Sequence, residues 1–144
     1  MEFSWYISGS SPTSADGLYV GVGGSTNFGN SQPGPGLTNG SIMFRYTTYS
    51  NNYTKWWVNG TATGSQVAFK AGIAYLATWQ TSRLVVKTVG TKRYAYMYTG
   101  NNNNLDNAID VTSWTPGGTW IYIGASTGGA NSLQLCSHVA LEYI

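Results

Sequence analysis

The run Arg83-Leu84-Val85-Val86-Lys87-Thr88-Val89 followed by Arg93-Tyr94-Ala95-Tyr96-Met97-Tyr98-Thr99 decides the fold class. In the first half Leu84 and Val86 alternate with Arg83, Val85 and Lys87. In the second, Tyr94, Tyr96 and Tyr98 alternate with Arg93, Ala95 and Met97. A period of two puts successive side chains on opposite faces of a β-strand. Leu84 and Val86 are therefore expected to face a core, and the three tyrosines form a ladder on one face. Gly90 and Thr91 separate the two runs.

Outward from this pair the same texture recurs. Short alternating runs bounded by Gly, Asn and Pro predict strands at Phe3–Ser8, Leu18–Val22, Ser41–Tyr49, Tyr53–Asn59, Gln66–Lys70, Ile73–Gln80, Trp120–Ala125 and Leu133–Tyr143. In the last of these Leu133, Leu135, Val139 and Leu141 oppose Gln134, Cys136, His138 and Glu142, which puts Cys136 and His138 on the more polar face. No window sustains a helical period, and the abundance of Gly, Thr, Tyr, Val and Asn opposes helix. About ten strands are too many for one flat sheet, so the chain is expected to be all-β with two packed sheets and little or no helix.

The breaks are equally legible. Residues 23–40 are rich in Gly and Pro and predict one long irregular loop. Asn59-Gly60 is a type I′ turn signal, since both central residues of that turn need positive φ. Gly100 to Asn104 is a polar loop tip. There is no linker, charge block or internal repeat, so residues 1–144 are expected to form a single β-sandwich domain.

Composition narrows the function classes. Of 144 residues 15% are aromatic and only 8% charged, against about 25% charged in an ordinary domain. Six Trp, eleven Tyr and four Phe argue for a packed globule rather than a disordered chain. A net charge of +2 gives no footprint for nucleic acid. A single Cys excludes an internal disulfide, and a single His excludes a multi-His metal site. No apolar run approaches the ~20 residues of a membrane-spanning helix. The opening Met1-Glu2-Phe3-Ser4-Trp5-Tyr6-Ile7 alternates like a strand, so no secretory signal peptide is expected. The three glycosylation-type triplets, at Asn39, Asn52 and Asn59, are then taken as compositional.

The order of the pieces resembles a known family. Ala71-Gly72-Ile73-Ala74-Tyr75-Leu76-Ala77-Thr78-Trp79 followed by Ser82-Arg83-Leu84-Val85-Val86 is similar to the central hairpin of concanavalin A-like, laminin-G-type jelly rolls. Trp120-Ile121-Tyr122-Ile123-Gly124-Ala125 and Ser137-His138-Val139-Ala140-Leu141-Glu142-Tyr143 resemble two later strands of that family, and Ser41–Tyr49 is a weaker echo. The resemblance covers roughly the second half of the chain and implies an antiparallel jelly-roll sandwich. The fold alone implies no particular activity. Two departures stand out: Val89-Gly90-Thr91 replaces the family's Asn-Gly or Asp-Gly turn, and the Glu-x-Asp-x-Glu strand of the hydrolytic members is absent.

Catalysis needs groups that converge. The acids are Glu2, Asp16, Asp106, Asp110 and Glu142, scattered along the chain, where a glycosidase needs two carboxyls facing one bond. Cys136 and His138 at i, i+2 point outward in parallel, a poor nucleophile–base pair. No enzyme activity is expected, and no cofactor. Asn101 to Asn104 with Asp106, Asn107 and Asp110 offer oxygen ligands for calcium, but the spacing fits no known loop, and no metal is expected.

Binding is the better reading. Trp56 and Trp57 must point to opposite faces, so one is expected in the core and the other is spare. Trp57, Asn59, Asn101, Asn102 and Asn103 are the candidate glycan contacts: an aromatic platform beside amides. Tyr94, Tyr96, Tyr98, Trp120 and Tyr122 are the candidate interface residues, since interfaces favour Tyr, Trp, Met and Arg and disfavour Lys and Glu. Core face, subunit interface and sugar platform all remain open for the tyrosine ladder. The conjunction of an extracellular-style composition with no disulfide and no export signal leads to the expectation of a non-enzymatic virion surface protein. That means a phage-type capsid decoration or tail-associated protein, whose partners are other subunits of the particle or its own copies. The alternative is a free-standing soluble lectin, extracellular or cytoplasmic. Neither reading involves nucleic acid or membrane.

Overall fold

A computed structural model describes residues 1–7, 17–24, 40–47, 53–68, 78–99, 108–126 and 133–142. They hold ten strands: β1 (Glu2–Ile7), β2 (Gly17–Gly23), β3 (Ser41–Thr47), β4 (Tyr53–Val58), β5 (Thr61–Ala68), β6 (Gln80–Val89), β7 (Lys92–Thr99), β8 (Ala108–Asp110), β9 (Ile121–Ser126) and β10 (Gln134–Ala140). Among the described residues there is no helix. The first sheet runs β10-β1-β6-β7-β8 and the second β5-β4-β3-β2-β9, each with five strands. Every pairing is antiparallel. The expected all-β, two-sheet architecture is the one observed.

Alternation explains the core. Phe3, Trp5 and Ile7 of β1, Leu84 of β6, and Ala95 and Met97 of β7 point inward from the first sheet. They meet Leu18 and Val20 of β2, Ile42, Phe44 and Tyr46 of β3, and Trp56 of β4. Each large side chain removed from water contributes about 1.5–3 kcal/mol. The rings of Phe44, Tyr46 and Trp56 meet edge to face, and Trp5 lies 4.7 Å from Tyr46 across the two sheets. Edge-to-face rings add to what their burial contributes.

Turn chemistry sets two of the hairpins. Asn59 and Gly60 have φ of 52° and 76°, the pair of positive values that a type I′ turn requires, and they join Val58 to its partner Thr61. The two-residue loop Gly90-Thr91 joins β6 to β7, where Val89 pairs with Lys92.

The structure corrects several sequence boundaries. β5 starts at Thr61, not Gln66, because a two-residue turn returns the chain directly into pairing. Gln80, expected to close a strand over 73–80, opens β6 instead, and residues 73–77 lie outside the described residues. β8 was not foreseen at all.

The largest correction concerns the last strand. Cys136 and Gln134 pair with Trp5 and Ile7, so they share the inward side of the sheet, while Leu135 pairs with Tyr6 on the outward side. His138, with φ of 57°, sits where the pairing with β1 shifts register between Glu2 and Ser4, and it interrupts the expected alternation. Past the shift Ala140, opposite Glu2, takes the outward side, so Leu135 and Val139 fall on opposite faces, and every residue from Leu135 to Ala140 is exposed.

Candidate binding face

The outward face of the first sheet is built from the hairpin register. The two-residue loop after Val89 sets Arg83 opposite Tyr98, Val85 opposite Tyr96 and Lys87 opposite Tyr94. Directly opposed residues share a face, so the tyrosine ladder and these two cations stand side by side. Tyr94 and Tyr96 are 6.1 Å apart between ring centroids, and Tyr96 and Tyr98 are 6.2 Å apart and nearly parallel. The Arg83 guanidinium lies 5.1 Å from the Tyr98 ring centre, and the Lys87 ammonium 4.6 Å from that of Tyr96. Both distances fall inside the range of cation–π attraction.

The face continues onto β1. Ser4 pairs with Thr81 and their hydroxyls are 3.3 Å apart; beyond them Tyr6 packs against Trp79, whose indole is 51% exposed. Leu135 of β10 stands beside Tyr6. At the far side, Asp110 of β8 pairs with Tyr94.

Asp110 is a structural acid. It accepts hydrogen bonds from the Thr112 hydroxyl at 2.6 Å and the Thr112 amide at 3.0 Å, and it pairs with Lys92 at 3.0 Å. These bonds, the Thr112 hydroxyl first, hold its carboxyl down at about 2. The same contact raises the Lys92 ammonium. At neutral pH Asp110 is a committed carboxylate, without a proton to give. Among the described residues no group of three or more His, Cys, Asp or Glu side chains converges on a point. Among them, too, no helix is long and apolar enough to cross a membrane.

The other candidates are placed elsewhere. Trp56 is the core tryptophan. Trp57 is half-buried on the outward face of the second sheet, packed with Met43, Tyr19 and Tyr122. Asn59 is exposed in its turn, but its side-chain oxygen accepts a hydrogen bond from the Gly40 amide at 2.7 Å, which ties β4 back to the start of β3. Asn101, Asn102 and Asn103 lie outside the described residues, as do residues 25–39 of the expected Gly/Pro loop.

Trp120 and Tyr122 belong to the second sheet and do not meet the ladder. Trp120 is exposed just before β9, where its carbonyl accepts from the Gly23 amide. Tyr122 is buried, its phenol donates to the Gly23 carbonyl, and burial pushes that phenol up to about 12. On this chain it is packing, not contact surface.

The sequence reading missed Arg83 and Lys87 as members of the site. The signal was there: once Gly90-Thr91 is the loop, positions that sum to 181 are opposed, and 83 with 98 follows. Tyr6 beside Trp79 had no such signal, because β1 and β6 are far apart in sequence. No protein-family model matches the chain, and no curated protein matches it.

Proposed function

We propose that the protein is a non-enzymatic virion surface structural protein, of the phage capsid decoration or tail-associated kind, with a concanavalin A-like jelly roll. It binds its particle through the outward face of the first sheet. The observation that carries this reading is the Tyr94–Tyr96–Tyr98 ladder with Arg83 and Lys87 seated on its rings. Such a face is rich in the residues that desolvate well in protein interfaces, and its cations are already partly satisfied by the rings. The low charge of the chain leaves little electrostatic resistance to association.

A soluble carbohydrate-binding lectin is the second reading. The half-exposed Trp79 laid against Tyr6 favours it, as an apolar platform on which the C–H face of a pyranose could stack. One preparation separates the two. Virus-sized particles from the source culture are banded by density and their proteins identified by mass spectrometry. Stoichiometric recovery of this chain with the particle, lost for Tyr96→Glu, supports the first reading. Recovery only in the soluble fraction, with saturable retention on an immobilised sugar, overturns it in favour of the second.

A further inference from the structure

We infer that the partner seated on the outward face of the first sheet is an acidic protein segment in extended conformation, with two carboxylates four residues apart and an apolar residue midway. The inference rests on the proposed use of that face and names the chemistry it takes. Over β6, β7 and β8 the face carries Arg83, Lys87 and Lys92 against Asp110. Lys92 and Asp110 neutralise each other. Arg83 and Lys87 are exposed, and among the described residues neither is ion-paired; each lies over a tyrosine ring instead. Glu2 stands opposite Arg83 from β1, on the side away from Tyr98, and does not pair with it.

A ring beside a cation holds it in place without using up its N–H donors, which stay available to a carboxylate. The spacing then selects what carries the carboxylates. Arg83 and Lys87 are four residues apart on one strand, which is about 14 Å at about 3.4 Å per residue. Between them Val85 is half-buried opposite Tyr96, so the strip that separates the charges is apolar. A small anion would leave that strip uncovered. Sheets that pack face to face keep their strands within about 30° of each other, so a partner strand aligned with β6 repeats at the same rise. Carboxylates at its first and fifth positions meet the two cations, and an apolar third position meets Val85 and Tyr96. Complementary charge of this kind sets register and speed of encounter.

The test is frontal chromatography of the full chain on three columns. One carries an immobilised peptide repeating Glu-Thr-Val-Thr, the second the same peptide with Gln for Glu, and the third polygalacturonate, a carboxylated polysaccharide. Retention on the Glu peptide is expected, with little on the other two. The double variant Arg83→Gln, Lys87→Gln should bind the Glu peptide about tenfold more weakly. Lys87→Arg should bind like wild type, and so should Lys55→Gln, which removes a cation from the second sheet. Urea midpoints confirm that each variant is folded. Equal retention on the two peptides overturns the inference, and so does a double variant held as firmly as wild type. Preference for polygalacturonate overturns it in favour of a glycan. Banded particles distinguish this failure from failure of the proposed function. A double variant recovered with the particle as fully as wild type leaves that function standing and overturns the inference. A chain held by the Glu peptide but absent from particles does the reverse.

Discussion

The Tyr46 hydroxyl, carried on β3 of the second sheet, lies 2.6 Å from the Thr99 hydroxyl on β7 of the first. Ser82 of β6 completes the cluster, 2.9 Å from Tyr46 and 3.2 Å from Thr99, and it accepts the Trp5 indole N–H at 2.9 Å. Four polar groups in an apolar core thus satisfy one another, and they do so across the space between the sheets. Burying them without partners would cost several kcal/mol, so the cluster acts as a lock on how the sheets align.

Tyr46→Phe tests that lock. The substitution keeps the ring against Trp5 and Phe44 but leaves Ser82 and Thr99 with only each other and the Trp5 indole. A loss of about 1–3 kcal/mol in unfolding free energy is expected, read from the shift of the urea midpoint. A variant as stable as the parent would mean that the inter-sheet bonds contribute nothing net.

Alkaline pH tests it from another side. Burial pushes the Tyr46 phenol from 10 up to about 12, against the smaller opposing effect of its bonds to Ser82 and Thr99. Between those values the unfolded chain releases the proton while the folded chain holds it, so stability is complete below about pH 10 and falls as pH rises toward 12. The slope due to Tyr46 is about 1.4 kcal/mol per pH unit. Tyr122 and Tyr19 are raised by burial too and act in the same direction. Urea midpoints at pH 9 and 11 should differ accordingly, and Tyr46→Phe should flatten the dependence.

How much of this was legible depended on what each signal encodes. Period two gave the inward face of β6 because Leu84 and Val86 oppose Arg83, Val85 and Lys87. On β7 it grouped the three tyrosines on one face but left open whether that face was the core; the core takes Ala95 and Met97 instead. Asn59-Gly60 gave its turn because φ is a local property. β10 has the same alternation, yet its inward side is the one holding Cys136, since pairing with Trp5 of β1 fixes the face and no local signal reports that pairing. β8 is three residues, too short for any period to register. For the site, the tyrosine ladder was visible as parity on one strand. Its extension through Ser4, Tyr6 and Trp79 was not, because it depends on a contact between residues more than seventy positions apart.

Gly21 marks where the second sheet admits no side chain. A Cβ there would come within 2.6 Å of the Ile42 carbonyl oxygen and 2.7 Å of the Tyr122 ring. Gly21→Ala should therefore displace the Tyr122 ring from Met43, at a cost of about 1–3 kcal/mol for overpacking. The drop in thermal midpoint checks this, together with a change in near-ultraviolet circular dichroism as the ring moves. An unchanged near-ultraviolet spectrum would count against the packing described.

The cations on the ladder make the last prediction. Lys87 and Arg83 each sit over a tyrosine on an exposed face, where such contacts are worth about 0.5–1 kcal/mol. A double-mutant cycle of Lys87→Ala with Tyr96→Ala should return a coupling of that size, and one of Lys87→Ala with Tyr98→Ala should return almost none, since Arg83 and not Lys87 lies over Tyr98. Raising salt should weaken the first coupling only modestly, because the attraction acts at contact, well inside the Debye length of about 10 Å at 0.1 M. Equal coupling to both tyrosines would mean that the ammonium ranges freely over the face. A coupling confined to Tyr96 means that the cation is held in place before any partner arrives, which lowers the ordering cost of binding there.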